Sequence, residues 1–185
     1  MKKLLATSSI LALILTAGVA KPYNIDNSHS AVKFQVTHMM ISDVDGAFNE
    51  FSGKIDFDEE SKTLKALEGE VAIKSIDTKN DARDKHLNAA DFFDAAKFPK
   101  ATLVMKSLEG DKLTADVTLR GVTKPVVFDV SVKGPVENPM TKKQIISVKL
   151  EGKINRKDFK VGSGTANAIV SDEVEIKVQI EAGEK

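Results

Sequence analysis

Residues 32–38 read Val-Lys-Phe-Gln-Val-Thr-His, and their side chains alternate between an apolar-facing and a polar-facing set. Successive side chains of a strand point to opposite faces, so this stretch predicts a strand with one dry and one wet face. The alternation recurs in seven further runs, which begin near Phe51, Leu67, Ala101, Leu113, Val126, Ile146 and Val174. Eight such strands predict an all-β fold, an eight-stranded antiparallel barrel that encloses the dry faces. In the run from Ala101, the sequence leaves open which of the two faces points inward.

One segment departs from this period of two. Between Lys79 and Lys97 the residues of the apolar face recur at helical spacing, as Ala82, His86, Ala89, Ala90 and Phe93. Asp77 and Thr78 are candidates to cap the start of this helix, and Pro99 ends the segment. The predicted order is therefore three strands, one helical excursion between strands 3 and 4, and five more strands.

The connections between these strands are unequal in length. Antiparallel neighbours place their loops alternately at the two ends of a barrel. One end then receives the loops 58–63, 109–111 and 133–143. The other end receives the loop 39–47, the helical segment, the turn at 121–122 and the loop 155–171. We expect the functional site at this second, elaborated end, because sites tend to lie where long loops extend from a rigid scaffold.

A barrel of eight strands is just wide enough to be filled by side chains or to hold one ligand. The inward positions here are rich in Val and Ala and include Gly53, Gly69 and Gly152, and the chain has no tryptophan. This composition favours a cavity. The alternative is a barrel filled by phenylalanines and the helical segment, which would suit a non-lipid, stress-protective or protein-interaction module.

An apolar cavity would bind a long hydrocarbon chain, because each buried methylene contributes ~0.8 kcal/mol. The predicted contacts of such a tail are the inward residues Phe34, Val36, Phe51, Ile55, Val71, Phe93, Val117, Phe128, Val148 and Ile176.

Three polar side chains continue the inward face beyond the apolar part of their strands at the elaborated end. They are His38, Lys124 and Arg156. Their convergence suits an anionic head group, and Arg156 is the strongest candidate because a guanidinium fork matches phosphate geometry. His86 faces the same end and joins this set, with a structural role as its alternative. The pattern predicts no catalytic residues, no metal site, no enzymatic step and no cofactor other than the bound lipid.

The first twenty residues are typical of a secretory signal peptide. Lys2 and Lys3 precede a short apolar stretch, and small residues end at Ala20. We therefore predict a signal peptide over 1–20, a single domain over 21–185, and a periplasmic location. The chain carries 27 basic and 27 acidic residues, so the loss of the two lysines leaves a net charge of about −2. Nothing in this balance indicates nucleic-acid binding.

Several motifs along the chain together resemble the YceI-like family of polyisoprenoid-binding proteins. They are Tyr23-Asn24-Ile25-Asp26 with His29-Ser30, Phe51-Ser52-Gly53-Lys54-Ile55, Ser75-Ile76-Asp77-Thr78, His86-Leu87, Asp91-Phe92-Phe93-Asp94, Leu119-Arg120-Gly121-Val122-Thr123-Lys124-Pro125 and Asn155-Arg156-Lys157-Asp158-Phe159. The resemblance implies a lipocalin-like barrel with a long apolar tunnel, a periplasmic protein that binds an amphiphilic lipid such as a polyprenyl phosphate, and often a homodimer. For a lipid carrier we also expect transient contact with the inner membrane or a membrane protein. Lys160 stands where the family pattern has glycine.

Overall fold

A computed structural model describes residues 19–185 of the protein. The signal peptide predicted for residues 1–20 lies outside the described residues, except for its last two. The strands are Lys21–His38 (β1), Ser42–Phe48 (β2), Phe51–Asp58 (β3), Thr63–Ala72 (β4), Ile76–Asp77 (β5), Lys100–Glu109 (β6), Lys112–Leu119 (β7), Val122–Glu137 (β8), Gln144–Asn155 (β9) and Val170–Glu184 (β10). One α-helix, Asp81–Leu87 (α1), and two short 3-10 helices, Ile73–Ser75 and Arg156–Phe159, complete the elements. No helix within 19–185 has the length and hydropathy that a membrane span requires.

The strands form one closed antiparallel barrel. Neighbours follow the order β10-β9-β8-β7-β6-β4-β3-β1, and β1 pairs back with β10 to close the wall. The first half of β1 pairs with β3 and its second half pairs with β2, so β2 and β3 together act as one wall strand. In the same way β5 continues β4 and pairs with β2. The predicted eight-stranded antiparallel barrel is confirmed.

Two segments that the sequence predicts as loops are strand over part of their length. The predicted loop 39–47 is a three-residue turn followed by β2, whose inward residues include Val44 and Phe48. The third inward position is Gly46, directly opposite Phe34, and the phenylalanine ring fills the space where a Cβ would lie. Because Gly46 has no side chain, the sequence of β2 does not show an alternation of apolar and polar residues. The predicted loop 133–143 is likewise shorter, because β8 continues past a register break to Glu137.

The helical excursion is shorter than predicted, and its cap differs. The side chain of Asn80 accepts a hydrogen bond from the Arg83 N–H (3.0 Å) and caps α1. Asp77 and Thr78 hold the preceding loop instead. Asp77 accepts from the Lys79 N–H (2.8 Å), and the Thr78 hydroxyl donates to Asp84 (2.5 Å). After Leu87 the chain continues in turns to Phe98.

Large side chains fill one end of the barrel. Tyr23 and Phe57 pack edge to face with ring centroids 5.9 Å apart, and Ile55, Leu64 and Leu113 are fully buried around them. This end carries the short loops 59–62, 110–111 and 138–143. The filled end closes the barrel, so any interior space must open toward α1 and the loop 160–169.

Candidate functional site

The barrel is hollow in its other half. A cavity of about 460 Å³ lies between the wall strands and extends to α1 and the loop 160–169. This volume falls in the range of small-molecule sites. The filled barrel that the alternative interpretation requires is therefore not observed. Nine of the ten predicted tail residues line the cavity, namely Phe34, Val36, Phe51, Val71, Phe93, Val117, Phe128, Val148 and Ile176.

Ile55 is the exception among the predicted tail residues. Its side chain has the inward parity, but it is 1 % exposed and belongs to the filled end beside Phe57. Ile55 is therefore not on the cavity wall, because strand parity specifies which side of the wall a residue faces and not how far the filled end extends. On β6 the residues Ala101, Thr102 and Leu103 lie along the cavity, and the exposure of Val104 shows that Leu103 is on the inward face.

Of the three inward glycines, only Gly69 leaves interior volume. No atom lies within 4 Å of the position that a Cβ would take at Gly69. At Gly53 an added Cβ would lie 2.3 Å from the carbonyl oxygen of Glu68, and at Gly152 it would lie 2.5 Å from the ring of Phe128. Gly53 therefore permits close backbone approach, and Gly152 makes room for a cross-strand aromatic ring.

Three phenylalanines form a row along one side of the cavity. The ring centroids of Phe34 and Phe48 lie 5.7 Å apart, and those of Phe48 and Phe93 lie 6.1 Å apart in an edge-to-face arrangement. The row joins β1, β2 and the segment after α1. Because these rings contact one another, they hold that segment against the barrel while they present an apolar surface to the interior.

Arg156, the strongest head-group candidate in the sequence, lines the cavity, but its donors are engaged within the protein itself. Its side chain is buried, and its guanidinium donates to the carbonyl oxygens of Val161, Gly162, Thr165, Val170 and Ser171 and to the carboxylate of Asp172 (2.9 Å). Five N–H donors are all that a guanidinium has, and each is used. Arg156 therefore ties the loop 160–169 to the start of β10 and has no donor left for a head group.

The other predicted head-group residues divide into two cases. Lys124 is half-buried on the inward face of β8, opposite Val117, but it does not line the cavity. His38 and His86 do line it, and both are exposed at its opening. His86 Nε2 lies 2.8 Å from the carboxylate of Asp91, and this hydrogen bond lowers the pKa of Asp91. The exposed position of His86 contradicts its placement on a buried apolar face.

A further cation, Arg83, is not among the residues predicted from the sequence; it lies in α1 three residues before His86. Its Nε donates to the Thr78 hydroxyl and its Nη2 to the Thr78 carbonyl oxygen, both at 2.7 Å. No partner for its Nη1 is found among residues 19–185, and the residue lines the cavity. Residues three apart share one side of a helix, so the spacing to His86 was a usable signal. Arg83 is the cation best placed to contact an anionic head group.

A separate polar cluster lies on the outer wall, at the bulge of β1. Ligand atoms of Asp26, His29 and Glu181 lie within 4.8 Å of one another. Hydrogen bonds from Ser28 and His29 hold the pKa of Asp26 well below its usual range, and Asp26 in turn raises the pKa of His29. These groups do not line the cavity, so they take no part in the candidate site. The expected absence of a metal stays a prediction.

The YceI-like domain family matches residues 23–182, which is nearly all of the described chain. The chain belongs to the YceI-like family. Protein YceI of Salmonella newport is 37% identical over 189 residues, a match that covers 98% of this chain and 97% of that protein. The family resemblance seen in the sequence is therefore confirmed.

Solved structures of YceI-like proteins share the barrel. The Campylobacter jejuni YceI protein superposes with a TM-score of 0.75 at 38% identity, over 80% of this chain and 90% of that one. A polyisoprenoid-binding domain from Saccharophagus degradans superposes with a TM-score of 0.70 over 88% of this chain and 98% of that one. At 17% identity this second match shows the common fold alone.

Proposed function

We propose that the protein is a binding protein for a long-chain amphiphilic lipid, with the tail in the barrel cavity and the head group near Arg83, His38 and His86. The observation that carries the proposal is the cavity itself, which is apolar along its length and ends in polar side chains at the open end. A filled end opposite the opening fixes the direction in which a ligand enters. The proposal includes no catalytic step.

The tail supplies most of the affinity in this proposal. Burying about ten methylene groups contributes roughly 8 kcal/mol, from which the cost of association must be subtracted. A hydrogen bond to a charged group adds about 1.5 to 3 kcal/mol. Head-group contacts therefore orient the ligand and select its charge, while chain length sets the affinity.

Isoprenoid chains are one ligand class that fits these requirements. The Saccharophagus degradans domain of the same fold is described as polyisoprenoid-binding. We include polyprenyl phosphates and fatty acids in the proposal, because both combine an apolar chain with an anionic head. The signal sequence predicted at 1–20 supports a periplasmic site of action as part of the same proposal.

Native mass spectrometry tests whether the cavity carries a lipid. We expect protein purified without detergent to show an additional mass that organic extraction removes, because the apolar cavity retains a hydrocarbon chain. The delipidated protein should then bind added farnesyl phosphate or palmitate. Empty protein that takes up neither compound would contradict the proposed function.

Removing the Arg83 charge tests the position of the head group. We expect Arg83→Gln to weaken palmitate binding about tenfold, since a charge-assisted hydrogen bond is lost. Binding of hexadecanol, which has the same chain length and no charge, should change little. The measurement is displacement of a fluorescent fatty acid at equilibrium.

Two variants control this experiment. Arg83→Lys keeps the charge and should recover part of the affinity for palmitate. Lys124→Gln removes a cation that lies outside the cavity and should leave both ligands unaffected. Equal losses for palmitate and hexadecanol in Arg83→Gln would show that Arg83 only supports the fold of α1.

A further inference from the structure

Three consecutive large apolar residues lie exposed at the turn between β1 and β2. Met39, Met40 and Ile41 are 49 %, 72 % and 88 % exposed. Nowhere else in residues 19–185 does the surface show such a run. Exposed apolar clusters of this kind commonly mark a surface that meets another apolar phase.

The backbone of this turn is unfavourable for the residues that occupy it. Met39 and Met40 have φ values of 50° and 61°, and the Ile41 N–H donates to the His38 carbonyl oxygen (3.2 Å). Turns with two left-handed central residues strongly favour Asn-Gly, because a Cβ is disfavoured there. The backbone of the turn therefore does not account for methionine at these two positions, so we look to their exposed side chains for the reason.

The turn lies beside the opening of the cavity. His38 immediately precedes it and lines the cavity, and the Met39 N–H donates to the carbonyl oxygen of Ile169 (3.0 Å). Ile169 is itself a lining residue and is partly exposed. Apolar surface therefore continues from the tip of the turn, over Ile169, into the cavity.

The charge of the surrounding residues and the small area of the exposed turn indicate what kind of partner this surface contacts. No lysine or arginine occurs between Lys33 and Lys54, and the charged residues of β2 are Asp43 and Asp45. The turn and β2 therefore carry no lysine or arginine that would attract anionic head groups. Three side chains at a hairpin tip also cover far less area than a stable protein interface, which needs about 800 Å² per partner. Insertion into lipid acyl chains needs neither charge nor a large area.

We propose that the turn Met39–Ile41 inserts into the surface of a lipid bilayer and holds the cavity opening against it. A ligand then passes between bilayer and cavity without crossing water. This inference rests on the proposed function for its purpose, but insertion of the turn is a separate property that does not require a bound ligand.

The absence of tryptophan from the chain permits a direct test of insertion. We expect the emission of Met40→Trp to shift to shorter wavelength with phosphatidylcholine vesicles and to be quenched by brominated acyl chains, because the indole enters the bilayer interface. Met140→Trp is the matched control. Met140 is 91 % exposed and lies in the loop between β8 and β9, at the filled end of the barrel. Its emission should not change.

The transfer of a pyrene-labelled fatty acid from loaded protein to vesicles tests whether a ligand passes directly between the cavity and the bilayer. In the wild-type protein the transfer rate should rise with vesicle concentration and vary little with ionic strength. The double substitution Met40→Ser and Ile41→Ser should slow transfer about tenfold, whereas Met140→Ser should not. Affinity for the probe in solution should be the same in all three proteins.

Several outcomes would overturn the inference. They are an unshifted Met40→Trp emission, a requirement for anionic lipid, a transfer rate independent of vesicle concentration, and a dimer that the double substitution dissociates. The last would make the turn an interface between copies. Failure of the proposed function appears differently, as no binding of the probe in solution while Met40→Trp still reports insertion.

Discussion

Gly69→Phe is expected to abolish tight binding of long-chain amphiphiles while the barrel stays folded. Gly69 lies between the inward residues Leu67 and Val71 on β4, with open space where its Cβ would stand. Its φ lies outside the left-handed region, so a larger side chain fits the backbone. The new ring would occupy the cavity in place of about four ligand methylenes, which costs about 3 kcal/mol, or roughly 100-fold in Kd.

Lys54→Phe is the matched control for this substitution. Lys54 is exposed on the outer face of the neighbouring strand β3, so the same side chain is introduced into the same sheet but outside the cavity. Equilibrium displacement of a fluorescent fatty acid gives the affinities, and thermal unfolding shows that both variants are folded. Unchanged affinity in Gly69→Phe would mean that ligands do not bind in this cavity.

Arg156→Ala is expected to cause the largest loss of stability. Substitution leaves five carbonyl oxygens of the loop 160–169 and the start of β10, and the carboxylate of Asp172, without their donor. Several of these groups are buried or half-buried, and the removal of a buried charged partner costs about 3 kcal/mol. For a domain of this size the Tm should fall by about 6 to 12 °C. Chemical denaturation and thermal unfolding measure both quantities.

Lys157→Ala separates the specific role of Arg156 from the loss of a positive charge. Lys157 Nζ lies 3.1 Å from the same Asp172 carboxylate, but the pair is partly exposed, so its loss should cost less than about 1 kcal/mol. Arg156→Lys should not restore stability, because an ammonium group cannot reach acceptors in a planar fork. If Arg156→Ala instead kept full stability and lost only anionic ligands, the head-group role predicted from the sequence would be correct.

The contrast between the tail and head-group predictions shows what alternation can determine. Inward parity placed Phe34 and Val117 on the cavity wall correctly, because a strand has only two faces and one of them is dry. It failed at Ile55, since the depth at which the filled end stops depends on the packing of Phe57 and Leu64 from different strands. It also missed β2, where Gly46 interrupts the apolar pattern.

Parity could not assign partners to the polar residues at the opening. The Arg156 side chain lies on the inward face, as predicted. Its acceptors, however, are main-chain carbonyl groups of a loop whose shape has no signature in the sequence. Arg83 was missed for a different reason. Apolar periodicity does not include a cation, although the three-residue spacing of Arg83 and His86 places both on the cavity side of α1.

The seam between β1 and β10 has a consequence for how the protein is made. The hydrogen bond from the Glu181 N–H to the Ser30 hydroxyl joins residues 151 positions apart, and the whole seam has similar separations. Contacts of such long range form late and slowly. During synthesis the cavity therefore does not exist until β10 has left the ribosome and paired with β1, so the barrel has no enclosed interior before that step.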